Sequence, residues 1–207
     1  MKSLRSKVDV NWGELFKLIF PAEKPEDWRT KIRLTGQIDR IDRREDADGR
    51  VHLRVLDYKT AAAGETPLKA HTVTKVPDGE ETFRIIPGML TRQHRQCYWQ
   101  DLQLPLYVLL TRHILLDELE IPGDPPSEIG AGYFNLPSEL TKTRIEMFGN
   151  LATPEVLNSA ARCADEILRR ICVEKLFWPP KAKHYQLFEN CALDIGNFEM
   201  PNEKEVR

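Results

Sequence analysis

The sequence predicts an α/β domain with a central mixed sheet flanked by helices. Three observations support this prediction. Two runs near the middle of the chain alternate apolar and polar residues, as half-buried strands do. Residues 96–116 and 154–176 carry apolar stripes at helical spacing. The chain has 207 residues with 41% hydrophobic content, enough for one domain with a real core.

The two alternating runs lie between residues 32 and 60 and are joined by a charged turn. In the first run the residues on one face are Ile32, Leu34, Gly36 and Ile38. In the second run that face carries Val51, Leu53 and Val55. Asp46, Asp48 and Gly49 supply turn chemistry between them. A β-hairpin is therefore the simplest interpretation.

Charged residues follow the apolar positions at the ends of these runs. Asp39 ends the first run, Asp57 ends the second, and Lys59 shares a strand face with Asp57 because the two are two residues apart. For an isolated D-x-K, a salt bridge at a sheet edge is the ordinary explanation. Two carboxylates near one point also suit Mg²⁺ or Mn²⁺. A nearby lysine can orient a water, so these residues are the parts needed for metal-assisted hydrolysis of a phosphodiester.

Three short motifs resemble those of the PD-(D/E)XK nuclease superfamily, and within it those of RecB/AddB-like nuclease domains. In chain order they are G-x-x-D-R-I-D at residues 36–42, D-Y-K-T at residues 57–60, and Q-x-x-x-Y at residues 103–107. Together they span about a third of the chain. Each motif is weak alone, whereas the ordered set is fairly specific. Residues 177–180 (F-W-P-P) add a weaker likeness.

The resemblance implies a restriction-endonuclease-like fold and a Mg²⁺- or Mn²⁺-dependent deoxyribonuclease, with exonuclease action in DNA repair or recombination as the expectation. Asp39, Asp57 and the Tyr58 backbone carbonyl would hold the metal, and Lys59 would act in catalysis. The resemblance also implies that Gln103 and Tyr107, four residues apart on one helix face, face the catalytic centre. These two residues and Arg40 are the predicted DNA contacts. Relatives often work with a helicase, which makes a helicase partner or a fused helicase plausible.

The upstream metal ligand is less certain from the sequence. Related nucleases take a His or Glu from a helix before the first motif, and Glu14 lies on a predicted helix over residues 11–20. Glu14 is better explained as a surface residue that the helix dipole favours near a helix start. Two further explanations stay open: residues 1–207 are a fragment whose upstream helix was cut away, or the site is incomplete. A catalytically inactive nuclease-fold module with a DNA-binding or structural role is the alternative function.

The four cysteines are Cys97, Cys163, Cys172 and Cys191. Some relatives bind an iron–sulfur cluster through four cysteines, three of them grouped near the C-terminus. The C-terminal spacings here, 9 and 19 residues, do not match that grouping. We therefore expect reduced, mostly structural thiols and do not favour a cluster.

Composition narrows the function classes. The formal net charge of −2 argues against a general nucleic-acid coat protein, although local basic clusters occur at residues 40–44 and 92–95. No Walker loop is present, so the chain is not a helicase by itself. No apolar run has the length of a membrane span and no signal peptide begins the chain, so a cytoplasmic location is expected.

The remaining segments complete the prediction. Residues 1–10 are expected to be loose, and residues 61–95 to form a long polar connection that contains a small hairpin and could wall a DNA groove. His71 and His94 lie in that connection and are expected at the surface. A strand is predicted at residues 129–136, after a loop at 117–127. The last residues, 195–207, are expected to form a frayed tail.

Overall fold

A computed structural model describes residues 2–24, 26–60, 66–114, 129–149 and 153–175. Some predictions lie outside these residues, namely those for the loop at 117–127, the F-W-P-P run, Cys191 and the tail. The elements in chain order are β1 (Lys2–Asn11), α1 (Trp12–Ile19), β2 (Arg33–Glu45), β3 (Val51–Lys59), α2 (Pro67–His71), β4 (Thr72–Val73), α3 (Glu81–Arg84), β5 (Ile85–Leu90), β6 (Gln96–Trp99), α4 (Gln103–His113), β7 (Ile129–Asn135), β8 (Arg144–Met147) and α5 (Pro154–Cys172).

The central sheet is mixed and has five strands in the order β1-β2-β3-β7-β8. Strands β1, β2 and β3 form an antiparallel meander, β7 pairs parallel to β3, and β8 returns antiparallel to β7. A parallel pair needs a crossover connection, and here α4 is part of the chain between β3 and β7. The predicted fold class, a central mixed sheet flanked by helices, is confirmed.

The predicted hairpin is β2–β3. Its turn is closed by Asp46, whose side chain accepts hydrogen bonds from the backbone N–H groups of Asp48 and Arg50 at 3.1 and 2.8 Å. Gly49 has a φ of +77°, in the left-handed region that glycine adopts without steric cost. Leu53 and Val55 are buried on the inner face, as the alternation predicts.

The alternation of β2 is interrupted by a β-bulge. Ile41 pairs with Leu4 and Ile38 with Ser6, so β2 uses three residues where β1 uses two. Both Ile38 and Ile41 are buried although they are an odd number of residues apart. The extra residue lies between them, in the part of the strand that includes Asp39. Bulges bend a strand and change the direction of a side chain, and they are frequent beside functional sites.

The expectation that residues 1–10 are loose is wrong for the described residues, because residues 2–10 form most of β1. Val8 and Val10 alternate with polar residues and are buried against the core. Nine paired positions join β1 to β2. The pairing with β2 makes this segment a strand, and the local sequence alone does not reveal that pairing.

The segment after β3 also differs from its prediction. It contains α2, β4, α3 and β5, and a small second sheet in the order β4-β6-β5. The predicted helix over 96–116 is wrong at its start, since residues 96–99 are strand β6 and α4 begins only at Gln103. Pro105 therefore lies in the first turn of α4, where its missing N–H is tolerated.

One contiguous core joins the sheet to α1, α4 and α5. Its largest fully buried side chains include Trp12, Phe16, Trp99 and Tyr133. Asp165 on α5 accepts hydrogen bonds from Trp12 at 2.9 Å and from Arg29 at 2.7 Å, which fixes α5 against the start of α1. None of the helices among the described residues combines the length and the apolar character needed to cross a membrane.

Candidate active site

Asp57 lies near the C-terminal end of β3 and is 6% exposed. Each of its carboxylate oxygens has a partner. Lys59 Nζ is 3.0 Å from Oδ2, and Gln103 Nε2 donates to Oδ1 at 3.1 Å. Lys59 is on the same strand face as predicted, and its side chain is 18% exposed. A carboxylate, an ammonium and an amide therefore meet at the edge of the core.

Asp39 lies across the hairpin from Asp57. The ladder pairs Arg40 with Leu56, and the next residues outward are Asp39 and Asp57. The Asp39 Oδ2 accepts a hydrogen bond from the Tyr58 backbone N–H at 3.1 Å. Asp39 is not at the end of its strand, as the sequence suggested, because β2 continues to Glu45. Antiparallel pairing requires this, since the last residues of two hairpin strands are at opposite ends of the ladder.

The electrostatics of the site leave Asp57 short of positive charge. Burial raises the pKa of Asp57 above its ordinary value, and Lys59 only partly opposes this effect. The negative charges of Asp39 and Asp101 raise the pKa of Asp57 further. Desolvation and like charges both disfavour the ionised form of a carboxylic acid. Such a site gains stability from an added cation.

Gln103 and Tyr107 share one face of α4, as predicted, and both reach the site. Gln103 Nε2 is 3.2 Å from the Tyr107 hydroxyl as well as 3.1 Å from Asp57. The Tyr107 hydroxyl donates to the Gln37 backbone carbonyl at 3.0 Å. This pair therefore connects α4 to both strands of the hairpin.

A family model of the PD-(D/E)XK nuclease superfamily matches residues 5–191. The chain belongs to this superfamily. Comparisons with curated proteins and with solved structures gave no significant match. The superfamily is generally one of nucleases, which typically act with divalent metals.

The donor set has the chemistry of a site for a hard divalent cation such as Mg²⁺ or Mn²⁺. Asp39, Asp57 and the Tyr58 carbonyl supply hard oxygen atoms, and Mg²⁺ is commonly held by one or two carboxylates while keeping several waters. Among the described residues no group of three or more His, Cys, Asp or Glu is arranged to hold an ion. The Gln103 Oε1 is buried without a hydrogen-bond partner there, which leaves an acceptor free for a hydrated ion.

Glu14 and Arg40 are the two other predicted site residues. Glu14 is exposed on α1, where its charge acts on Arg33, the first residue of β2. Among the described residues, Glu14 joins no group of three acidic, histidine or cysteine side chains placed to hold an ion. Arg40 donates to Asp42 Oδ1 at 2.7 Å, and its side chain is 20% exposed.

Three residues near the site were not predicted: His71, Asp101 and Tyr133. The expectation that His71 is at the surface is wrong, because it is completely buried; His94 is exposed, as expected. Tyr133 pairs with Asp57 in the parallel β3–β7 register. Asp101 accepts from the Gln103 backbone N–H at 2.6 Å, an Asx turn before α4 that sequence inspection could have found. His71 has no comparable signal, since only the tertiary fold encloses it.

The described cysteines fit structural thiols of this superfamily member. Cys97, Cys163 and Cys172 are free of disulfides. Burial raises the pKa of Cys163 to about 12, so its thiol is unreactive at neutral pH. Cys163 and Cys172 lie on α5, as the sequence suggested, and Cys97 is buried in β6.

Proposed function

We propose that the protein is a Mg²⁺- or Mn²⁺-dependent deoxyribonuclease of the RecB/AddB-like type. The observation that carries the proposal is the arrangement around Asp57, which is held by Lys59 and Gln103 and lies across the hairpin from Asp39. The three motifs that suggested the subfamily supply all four of these side chains. Membership of the nuclease superfamily supports phosphodiester hydrolysis as the reaction class.

Each side chain has a proposed role. Asp39, Asp57 and the Tyr58 carbonyl would hold the metal, which supplies Lewis-acid activation of water and of the scissile phosphate when bound. Lys59 orients the attacking water or stabilises the charge that develops on phosphorus. Gln103 fixes the orientation of Asp57 through their hydrogen bond. Glu14 is left out of the ligand set because, among the described residues, it forms no cluster with two other possible metal ligands.

DNA is the proposed substrate and partner. Gln103 and Tyr107 contact the strand in this proposal, and Arg40 contributes a basic group beside the site. Arg40 keeps donors beyond the one given to Asp42, because a guanidinium carries five N–H groups. Exonuclease action, a role in repair or recombination and a helicase partner are the corresponding expectations from the RecB/AddB-like motifs.

The test is cleavage of linear duplex, linear single-stranded and closed circular DNA with Mg²⁺ or Mn²⁺. Lys59→Ala is expected to lower the rate by about 10²- to 10⁴-fold, the usual contribution of a positioned proton-transfer group. Lys142→Ala is the matched control, since Lys142 is an exposed lysine paired with Glu139. Cleavage of the linear substrates but not of closed circular DNA would identify an exonuclease. Equal rates for Lys59→Ala and wild type would reject the assignment.

The alternative is an inactive nuclease-fold module that holds DNA. It is favoured by the donor count, because the described residues offer two carboxylates and no third acidic or histidine ligand. In that case the wild-type protein binds DNA in a gel-shift experiment but cleaves none of the three substrates with either metal. Metal titration by calorimetry separates the two functions. The enzyme should bind a divalent ion, and Asp57→Ala should abolish that binding.

A further inference from the structure

We propose that His71 is a positioning residue. Through its two ring nitrogens it holds in place the two residues that pair with Asp57, namely Lys59 and Gln103. The inference rests on the proposed function only in that Lys59 and Asp57 are taken to do the chemistry. His71 itself touches neither substrate nor reacting atoms in this proposal. It acts through Asp101 on one side and through Tyr133 on the other.

The first connection runs from Nδ1 to α4. His71 Nδ1 is 2.8 Å from the Asp101 backbone carbonyl and 3.3 Å from its carboxylate. The same carboxylate accepts from the Gln103 backbone N–H at 2.6 Å. The His71 carbonyl also accepts from the Gln100 N–H at 2.8 Å. His71 therefore fixes the residues that lead into α4 and set the position of Gln103.

The second connection runs from Nε2 to β7. His71 Nε2 is 2.9 Å from the Tyr133 hydroxyl. Because a carbonyl oxygen only accepts, the Nδ1 facing Asp101 carries the proton. Burial lowers the pKa of His71, which favours the neutral ring although Asp101 opposes this effect. In the neutral ring Nε2 is an acceptor, so the Tyr133 hydroxyl donates to it.

Tyr133 carries this connection to Lys59. The Tyr133 side chain is 1% exposed and lies beside Asp57 in the parallel register. Lys59 Nζ is 4.8 Å from the centre of the Tyr133 ring, within the range of a cation–π interaction. The hydroxyl bond to His71 fixes the ring on which the ammonium lies. A tyrosine ring without that anchor would leave the ammonium less constrained.

The two connections close a ring of contacts around one carboxylate. It passes from Asp57 Oδ1 to Gln103, then through Asp101, His71 and Tyr133 to Lys59, and back to Asp57 Oδ2. A histidine that only fills the core would need partners, but not these partners. Residues that orient the groups at a reactive site typically change activity by about 10- to 100-fold when removed.

The kinetic test uses Tyr133→Phe, which deletes the hydroxyl and keeps the ring. The expected result is a fall in kcat of about 10- to 100-fold, with an unchanged Kd for DNA measured in Ca²⁺. Ser159→Ala is the matched control: it removes the hydrogen bond from Trp99 Nε1, 3.0 Å long, from the same part of the core but outside the ring of contacts. An unchanged kcat in Tyr133→Phe, or an equal fall in Ser159→Ala, overturns the proposal.

A second variant tests whether His71 acts through Tyr133. His71→Asn should lower kcat, and the double variant His71→Asn/Tyr133→Phe should lose less than the product of the two single losses, because both act on Lys59. Losses that multiply independently would contradict the coupling.

A readout without DNA or metal separates this proposal from the proposed function. In the metal-free protein, ¹⁵N NMR should show His71 protonated at Nδ1, and Tyr133→Phe should shift the Lys59 side-chain amine resonance, assigned with Lys59→Met. Ser159→Ala should leave that resonance in place. If wild type cleaves no DNA but the Lys59 resonance shifts, the positioning proposal stands and the nuclease proposal fails. An unmoved Lys59 resonance overturns the positioning proposal whatever the activity.

Discussion

Two buried aspartates of the β2–β3 hairpin, Asp42 and Asp57, differ in what surrounds them. Asp42 is 3% exposed and Asp57 is 6% exposed, so burial alone does not separate them. Asp42 accepts from Arg40 at 2.7 Å and from Arg54 at 2.8 Å. Asp57 has one cationic partner, Lys59, and the charges of two other carboxylates nearby.

The pKa values of the two groups move in opposite directions. Burial would raise the pKa of Asp42, but the hydrogen bonds and charges of Arg40 and Arg54 outweigh burial and lower it. Burial and the charge of Asp39 raise the pKa of Asp57, and Lys59 lowers that pKa by less than these two effects raise it. A carboxylate whose pKa is lowered on folding contributes stability in its ionised form, whereas a buried carboxylate with a raised pKa and a specific charge partner is a candidate functional group. The comparison therefore separates Asp42, which is paired with two arginines, from Asp57, which we propose to be a metal ligand.

The largest expected effect comes from replacing each acid by its neutral isostere and measuring cleavage. Asp57→Asn should lower kcat by about 10²- to 10⁴-fold, because the metal and Lys59 both lose their charged partner. Asp42→Asn should keep most of the activity per folded molecule, since the Asp42 carboxylate bonds the two arginines and, among the described residues, none of the groups that hold Asp57. Steady-state cleavage of linear DNA, normalised to the folded fraction, measures both. Similar losses in the two variants would end the distinction.

The second effect concerns stability and reverses the ranking. Asp42→Asn leaves two arginines with a weakened partner, and breaking a buried ion pair costs about 3–5 kcal/mol. We expect about 3 kcal/mol here, because the side chains of Arg40 and Arg54 are 20% and 35% exposed and can be hydrated. For a chain of this size that corresponds to a fall in Tm of about 6–12 °C. A Tm within two degrees of wild type, by calorimetry, would show that the pair is not structural.

The sequence predicted the parts of this picture that depend on local spacing. The hairpin, the helices predicted at residues 11–20 and 154–176, and the strand predicted at 129–136 follow from alternation, helical stripes and turn residues. The structure confirms these elements, with the last helix at Pro154–Cys172 and the strand at Ile129–Asn135. Gln103 and Tyr107 share a helix face because four residues make about one turn. The positions of these side chains at one site follow from the motifs.

The remaining features depend on contacts between distant segments. Strand β1 becomes a strand through its pairing with β2, and β6 replaces the start of a predicted helix because it pairs with β4 and β5. The bulge beside Asp39 depends on the β1–β2 register. The enclosure of His71, 30 residues before Asp101 and 62 before Tyr133, leaves no local pattern. Sequence periodicity also does not predict that Asp57 pairs with one cationic side chain and Asp42 with two.

The smallest expected effect is a pH-dependent gain in stability for Asp57→Asn in the metal-free protein. Because the pKa of Asp57 is raised on folding, the native state binds this proton more tightly than the unfolded chain does. The ionised carboxylate therefore costs stability, a cost that develops as the pH rises from the ordinary aspartate pKa through the raised one. Asp57→Asn should be more stable than wild type at neutral pH, and this difference should vanish in acid.

Asp42 has the opposite sign. Its lowered pKa gives stability that is present above the ordinary aspartate value and is lost as the pH falls through the lowered one. The loss of stability caused by Asp42→Asn should therefore become smaller in acid. The gain of stability caused by Asp57→Asn should also become smaller in acid. Urea unfolding in EDTA from neutral to acid pH measures both differences. If Asp57→Asn is the less stable protein at neutral pH, the bond to Lys59 outweighs desolvation, and Asp57 is as fully paired as Asp42.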